Sequence, residues 1–103
     1  MTMAEFNVKN IINDNGNAAA NQFVINTKKG TYFQSYQSVV AKIDSKDNLI
    51  LSEHWEYSNT TRKHLYIFLR THGYRHLQTA KDIRKAIKDN EVILKKVESL
   101  NIL

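Results

Sequence analysis

The feature that most constrains the fold of this chain is a change in hydrophobic spacing near residue 58. In residues 31–36 successive side chains alternate between two faces, which is the period of a β-strand. Beyond residue 60, side chains recur at the spacing of one helical face: Leu65, Phe68, Leu69 and His72. This change predicts a single α+β domain over residues 1–103, in which a small antiparallel sheet is followed by helices.

The first half of the chain predicts a β-meander of three antiparallel strands. The strand segments are rich in β-branched and aromatic residues, and they cover 21–27, 31–43 and 49–57. Polar turns separate them at 28–30 and 44–48. Upstream of these strands, weak helical spacing predicts a short helix near residues 4–13, and the Asn-rich residues 13–21 predict a loop.

The first C-terminal helix, residues 60–72, has a start signal and a stop signal. Ser58 or Thr60 can cap it, because a hydroxyl accepts a hydrogen bond from a backbone N–H two or three residues later. Gly73 ends it, because glycine readily adopts the left-handed conformation that follows many helices.

The second helix, residues 79–89, begins at Thr79, with Asp82 in the position of a capping-box acid. Its apolar stripe is predicted to pack on the same face of the sheet as the first helix, and it consists of Ala80, Ile83 and Ile87, with Ala86 beside it. Residues 91–97 fit either a short fourth strand, which their β-branched residues favour, or a helix.

The net charge of +5 is concentrated in one segment of the chain. Residues 62–88 contain eight of the fifteen Lys and Arg residues and one acid, Asp82, so this segment carries +7 and the remainder −2. Such a concentration favours an anionic partner, which is nucleic acid, an acidic protein surface or an acidic membrane surface.

Both predicted helices place these cations on one side. In the second helix four share a face at i, i+3, i+4 and i+7: Lys81, Arg84, Lys85 and Lys88. Like charges at this spacing repel by about 0.2–0.5 kcal/mol per pair, and no Glu is interleaved among them. The pattern therefore fits either a docking face for phosphates and carboxylates or an ordinary solvated face.

In the first helix an aromatic residue lies between two guanidinium groups, at i, i+4 and i+8: Arg62, Tyr66 and Arg70. An aromatic ring in that position can stack on a base while the guanidinium groups hold phosphates. Lys63 and Arg75 would extend the surface. The alternative is that Tyr66 is a half-buried residue at the edge of the core.

The strand aromatic residues leave a second question open. A face that carries Tyr32, Gln34 and Tyr36 is either an aromatic platform for bases or the core beneath the helices. If it is outward, Phe33 becomes the core residue. Alternation by itself does not decide which face is buried.

The composition argues against most catalytic and metal-dependent functions. The chain has no Cys, which excludes disulfides, thiolate metal sites and cysteine nucleophiles. His72 and His76 are four residues apart, but no carboxylate lies within five residues of them. The sequence contains no Gly-rich phosphate loop and no triad pattern. We therefore expect a protein that is not an enzyme and that has no metal, cofactor or small-molecule substrate.

The N-terminus lacks the features of a signal peptide, and no apolar run approaches the length of a membrane span. These absences predict a soluble, cytoplasmic protein that does not act at a membrane. The oligomeric state is not predicted.

Three stretches of the chain resemble a family of small, uncharacterised domains encoded by bacteriophages. The stretches are NQFVI, YFQSY followed by Ser38, and WEYSNTT followed by Phe68 and Leu69. The resemblance covers Asn21 to Leu69 and implies a phage or prophage origin, and it supplies no catalytic residues.

Small phage accessory proteins without catalytic motifs mostly act by binding. The resemblance and the charge together predict a host-takeover or anti-defence inhibitor, similar to an anti-CRISPR protein, that acts in the host cytoplasm. It would bind a host nuclease complex or its nucleic acid through the basic helices. The alternative is a stand-alone DNA- or RNA-binding phage regulator.

Overall fold

The fold is known from a computed structural model that describes residues 7–100 and places a six-stranded sheet beside two helices. The elements follow one another as β1 Asn7–Ile12, β2 Ala18–Thr27, β3 Gly30–Ser35, β4 Ser38–Asp44, β5 Leu49–Ser52, α1 Asn59–Thr71, α2 Ala80–Lys88 and β6 Ile93–Lys95. A 3₁₀ turn, Val97–Leu100, follows β6 and packs against β4 and β5.

The strands lie in the sheet in chain order, and β1 to β5 form an antiparallel meander. β6 pairs with β5 in parallel, which requires the long connection that α1 and α2 provide. The predicted α+β class is confirmed, as is the order of sheet before helices. The predicted number of three or four strands is wrong, because the sheet has six.

The helix predicted near residues 4–13 is wrong over the residues that the structure describes. Asn7–Ile12 form β1, whose Val8 pairs with Ile25 of β2. The loop is also shorter than predicted, because the Asn13 side chain accepts hydrogen bonds from later backbone N–H groups and closes a tight turn. Pairing with the neighbouring strand decides this segment, and its own spacing is too weak to show it.

The single strand predicted over residues 31–43 is two strands, β3 and β4, joined by a hairpin at Tyr36 and Gln37. Tyr36 has a φ of 56°, a conformation that bulky residues rarely adopt. Its backbone N–H donates to the Asn21 carbonyl oxygen at 2.7 Å, and its carbonyl oxygen accepts from Gln34 Nε2 at 2.7 Å. Strand-forming residues continue through this turn, which explains why the spacing does not reveal it.

The strand predicted over residues 49–57 ends at Ser52. The Ser52 hydroxyl oxygen accepts a hydrogen bond from the His54 N–H at 3.1 Å, and the Ser52 carbonyl oxygen accepts one from the Trp55 N–H at 3.1 Å. These bonds turn the chain out of the sheet. Trp55 is buried in the core from this turn, not from a strand.

Both helix starts follow their caps. The Ser58 hydroxyl, rather than that of Thr60, accepts from the Thr61 N–H at 3.1 Å, and α1 ends before Gly73, whose φ is 95°. The Thr79 hydroxyl accepts from the Asp82 N–H at 3.1 Å and begins α2. In a capping box the acid accepts a hydrogen bond from the N–H of the capping residue itself. Here the Asp82 carboxylate accepts one from the N–H of Gln78, the residue before the cap, at 3.3 Å.

The main core lies between the helices and one face of the sheet. Phe33 of β3 stacks on Phe68 of α1 with ring centroids 5.7 Å apart, and both side chains are fully buried. Of the stripe predicted on α2, Ile83 is buried and Ala80 and Ile87 are only partly buried against this core, whereas Ala86 beside the stripe is buried. Residues of both helices therefore belong to the same core cluster as Phe33.

Tyr32 projects from the opposite face of β3 and is also fully buried, beside its buried cross-strand partner Ile25. The sequence left open which face of this strand is buried. Side chains on both faces of β3 are buried. Tyr32 is therefore not part of an exposed aromatic platform. Tyr36 lies in the hairpin turn and not on β3 with Tyr32.

Candidate nucleic-acid interface

Four of the nine residues predicted to bind a partner line one groove along α1. The groove has a volume of about 390 Å³. Arg62, Tyr66 and Arg70 follow one another along the helix as their spacing predicts, and Lys63 lies beside them. The remaining lining residues come from α1 and from two loops: Asp14, Asn59, Ile67 and Gln78.

Tyr66 lines this groove and is partly buried. Its side chain packs against the main core, and its carbonyl oxygen accepts a hydrogen bond from Gln78 Nε2 at 3.0 Å. Tyr66 is therefore both a residue at the edge of the core and a residue that lines the groove. The two interpretations left open by the sequence are compatible.

The cations of the groove differ in how far they are already paired. Arg70 donates to Asp14 at 2.9 Å and to Gln78 at 3.4 Å, and Arg62 donates to the Asn59 side chain. Lys63 is exposed and bonds no described group. Asp14 thus neutralises one of the cations that line the groove.

Two of the four cations predicted to share a face of α2 are paired with carboxylates of the same molecule. Arg84 pairs with Glu56 and lies over the Trp55 ring, 6.0 Å from its centroid. Lys85 pairs with Asp89 at 3.0 Å, and the hydrogen bond to this carboxylate holds the pKa of Lys85 above its ordinary value.

The other two cations of this face, Lys81 and Lys88, are exposed and bond no described group. Arg75, in the connection between the helices, is likewise exposed without a described partner. None of the four α2 cations lines the α1 groove. Their role as a docking face stays a prediction.

Side-chain contacts connect α2 and the residue before it to α1 and to the turn before α1. Gln78, just before α2, contacts Tyr66 and Arg70 in the second half of α1. Arg84, farther along α2, reaches Glu56, which precedes α1.

A second cavity, of about 290 Å³, lies at the other side of the α1 N-terminus and was missed by the sequence reasoning. The hairpin turn, the turn after β5 and the first turn of α1 converge on it. They contribute Ser35, Tyr36, Ser38, Val40, His54, Tyr57, Ser58 and Thr61. We call it the tyrosine pocket.

Most lining residues of the tyrosine pocket belong to the stretches on which the phage-family resemblance rests. These stretches are separated by about twenty residues in the chain, and only the fold brings them together. Sequence reasoning therefore had no signal that these stretches share a cavity. No helical or strand spacing links them.

The histidines are placed apart from one another. His72 Nδ1 bonds the Phe68 carbonyl oxygen at 2.8 Å within α1, and His76 pairs with Glu91. Among residues 7–100 no group of three or more His, Asp or Glu side chains is arranged to hold a metal ion. Within the same range, neither helix has the length and apolar character needed to cross a membrane.

Comparison with known proteins gives one match. The model of a family of unknown function (DUF8033) matches residues 6–90, which include the sheet up to β5, both helices and both cavities. No curated protein and no solved structure matches the chain.

Proposed function

Since the chain belongs to DUF8033, a family of unknown function, we propose from its geometry that it is a non-enzymatic protein that binds nucleic acid through the α1 groove. The observation that carries the proposal is the grouping of Arg62, Lys63, Tyr66 and Arg70 along one groove. Guanidinium and ammonium groups neutralise phosphates, and an aromatic ring between them offers a face on which a base can stack.

The helix makes this surface suitable for a repeated polyanion. Arg62 and Arg70 are two helical turns apart, or about 12 Å at 1.5 Å per residue, so they can contact phosphates at separate positions along one strand. The helix backbone, anchored in the core through Leu65 and Phe68, fixes the separation of the two positions from which these side chains extend.

The anti-defence role predicted from the phage resemblance is a proposal about the same surface. A cationic inhibitor of a host nuclease complex would cover its guide RNA or its bound DNA. The net charge of +5 opposes mimicry of DNA, which needs an acidic surface. Purification from cells that contain the defence complex, with and without nuclease treatment, tests this role: capture that nuclease abolishes supports contact through nucleic acid.

The first prediction concerns the salt dependence of binding. Arg62→Gln combined with Lys63→Gln should weaken binding to a single-stranded oligonucleotide and reduce the slope of log K against log salt by about 1.4, because each lost phosphate contact contributes about 0.7. The slope is measured by fluorescence anisotropy at several salt concentrations.

The matched control is Lys46→Gln with Lys95→Gln, which removes the same charge from exposed positions outside the groove. An equal loss in both double variants would mean that binding follows net charge and not the groove. Undetectable binding of the native protein to DNA and RNA at low salt would remove the proposed function.

A second prediction uses the acid inside the groove. Asp14→Asn should strengthen nucleic-acid binding by a few-fold, because it frees Arg70 and removes a charge that repels phosphate. Stability should change by no more than about 1 kcal/mol, since the pair is exposed. Asp89→Asn is the matched control, because it frees Lys85 outside the groove. Anisotropy titrations that show equal gains for both variants would contradict a specific role for the groove.

A further inference from the structure

We propose that the tyrosine pocket binds one unpaired nucleobase of a single strand whose phosphates lie on the neighbouring α1 groove. The inference rests on the proposed function and specifies the form of nucleic acid that this chain would recognise. It depends on the size of the pocket, on the chemistry of its lining and on its position beside the cations.

The size of the pocket limits its occupant. At about 290 Å³ it lies at the small end of the range for ligand pockets, about 300–1,000 Å³. One ring system with part of a sugar matches that volume. A folded peptide segment or a duplex end does not, because each is larger than this volume.

The walls of the pocket carry two exposed aromatic rings. Tyr57 is 80% exposed and Tyr36 is 54% exposed, and neither hydroxyl group bonds a described residue. The His54 ring lies 5.9 Å from that of Tyr57, tilted by 39°, and extends this wall. Exposed rings beside a cavity are suited to stack on a planar partner.

Tyr36 occupies a position that is unfavourable for its residue type. Its φ of 56° favours Gly, Asn or Asp, and a bulky residue held there costs about 1–3 kcal/mol. The hydrogen bonds from the Tyr36 N–H to Asn21 and from Gln34 to the Tyr36 carbonyl oxygen hold the turn in place. The strain is offset elsewhere in the hairpin, and its result is an aromatic ring at the mouth of the pocket.

The floor of the pocket is polar but uncharged. The Ser35 and Thr61 hydroxyl oxygens are 3.1 Å apart, and Ser58 Oγ donates to Thr61 Oγ1 at 3.1 Å. Among the described lining residues there is no Lys, Arg, Asp or Glu. A hydroxyl floor of this kind matches the neutral hydrogen-bonding edge of a base and not a phosphate.

Next to this floor, the side-chain amide of Gln22 is buried without a partner. Gln22 is 1% exposed, pairs across the strands with Ser35, and has neither its Oε1 nor its Nε2 in a hydrogen bond. A buried amide without partners is costly, and it lies on the strand that pairs with the pocket residue Ser35.

The pocket and the groove meet at the first turn of α1. Ser58 and Thr61 face the tyrosine pocket, whereas Asn59, Arg62 and Lys63 line the groove. The two cavities thus flank the first turn of α1, and we infer that a strand crossing this turn places a base in one and phosphates beside the other. A base paired within a duplex cannot enter, which makes a single strand the expected partner.

The test compares a single-stranded oligonucleotide with an abasic strand of equal length, which has the same phosphates and lacks bases. The native protein should bind the base-containing strand at least about fivefold more tightly, because stacking on one aromatic side chain contributes at least that factor. Matched DNA and RNA strands show which sugar is preferred. Equal affinities for base-containing and abasic strands would overturn the proposal.

Two pocket variants and one groove variant distinguish the role of the pocket from that of the groove. Tyr57→Ala and Tyr36→Asn should each reduce the preference for bases and leave the salt slope unchanged. Arg62→Gln with Lys63→Gln should reduce the slope and leave the preference intact. Both tyrosine variants should fold normally, because the Tyr57 side chain is exposed and Asn tolerates the φ at position 36. A base preference that survives both tyrosine changes would contradict a role for this pocket.

If the native protein binds neither strand, the proposed function fails and the pocket is tested separately. Adenosine and uridine are titrated while the ring resonances of Tyr36 and Tyr57 are followed by NMR. Saturable shifts at both rings would support a base pocket without the groove. The absence of shifts at millimolar nucleoside would overturn the inference.

Discussion

Phe68→Ala is expected to lower the free energy of unfolding by about 3–5 kcal/mol. The Phe68 ring is fully buried, stacks on Phe33 at 5.7 Å and lies 4.5 Å from the His72 ring, so its removal leaves a cavity between α1 and β3. A domain of this size has a total stability of about 5–15 kcal/mol, so the loss is a large fraction of it. Urea denaturation followed by circular dichroism measures the change.

The matched control is Tyr57→Ala, which removes a larger aromatic ring from a side chain that is 80% exposed. Its effect should stay within about 0.5 kcal/mol. A loss below 1 kcal/mol for Phe68→Ala would mean that α1 is not packed on β3 as described. Nucleic-acid binding by the Phe68→Ala variant should fall only in proportion to its unfolded fraction, because Phe68 lines neither cavity.

Gly30→Ala is expected to destabilise the protein by about 3 kcal/mol or more. Gly30 begins β3 with a φ of 150°, which is unfavourable for any residue with a Cβ. An added Cβ would lie 2.4 Å from the Ile43 carbonyl oxygen, a backbone atom of β4. Because Gly30 pairs with Thr27 on one side and Asp44 on the other, neither strand can move away without losing pairing. Thermal unfolding measures the loss.

Gly16→Ala provides the comparison, since Gly16 also has a positive φ of 82° but its added Cβ would meet nothing within 4 Å. That variant carries the backbone strain alone, and its cost should be about 1 kcal/mol. Equal losses at Gly16 and Gly30 would show that β3 and β4 separate easily, and the predicted effect of the clash would be wrong.

The helices were predicted well because their signals are local. The hydroxyls of Ser58 and Thr79 accept hydrogen bonds from the N–H three residues later, so the information lies within one helical turn. The same holds for the groove, since the i, i+4 and i+8 spacing of Arg62, Tyr66 and Arg70 places them together wherever the helix packs.

The strands were predicted less well because pairing is not local. Asn7–Ile12 form a strand because they pair with β2, although their own spacing is weakly helical. The hairpin at Tyr36 depends on a hydrogen bond to Asn21, fifteen residues earlier, and no turn residue marks it. The strand predicted through residue 57 ends early because Trp55 is drawn into the core from a turn.

The sequence by itself determined the α+β class, the starts and ends of both helices and the line of cations along α1, because each follows from neighbours within a few residues. Only the tertiary structure decided the six-stranded sheet, the burial of both faces around Tyr32 and Phe33, and the pairing of Arg84 with Glu56. It also formed the tyrosine pocket, whose walls come from the β3–β4 hairpin and from the turn before α1. These features join residues far apart in the chain, and their contacts exist only after the sheet has closed against the helices.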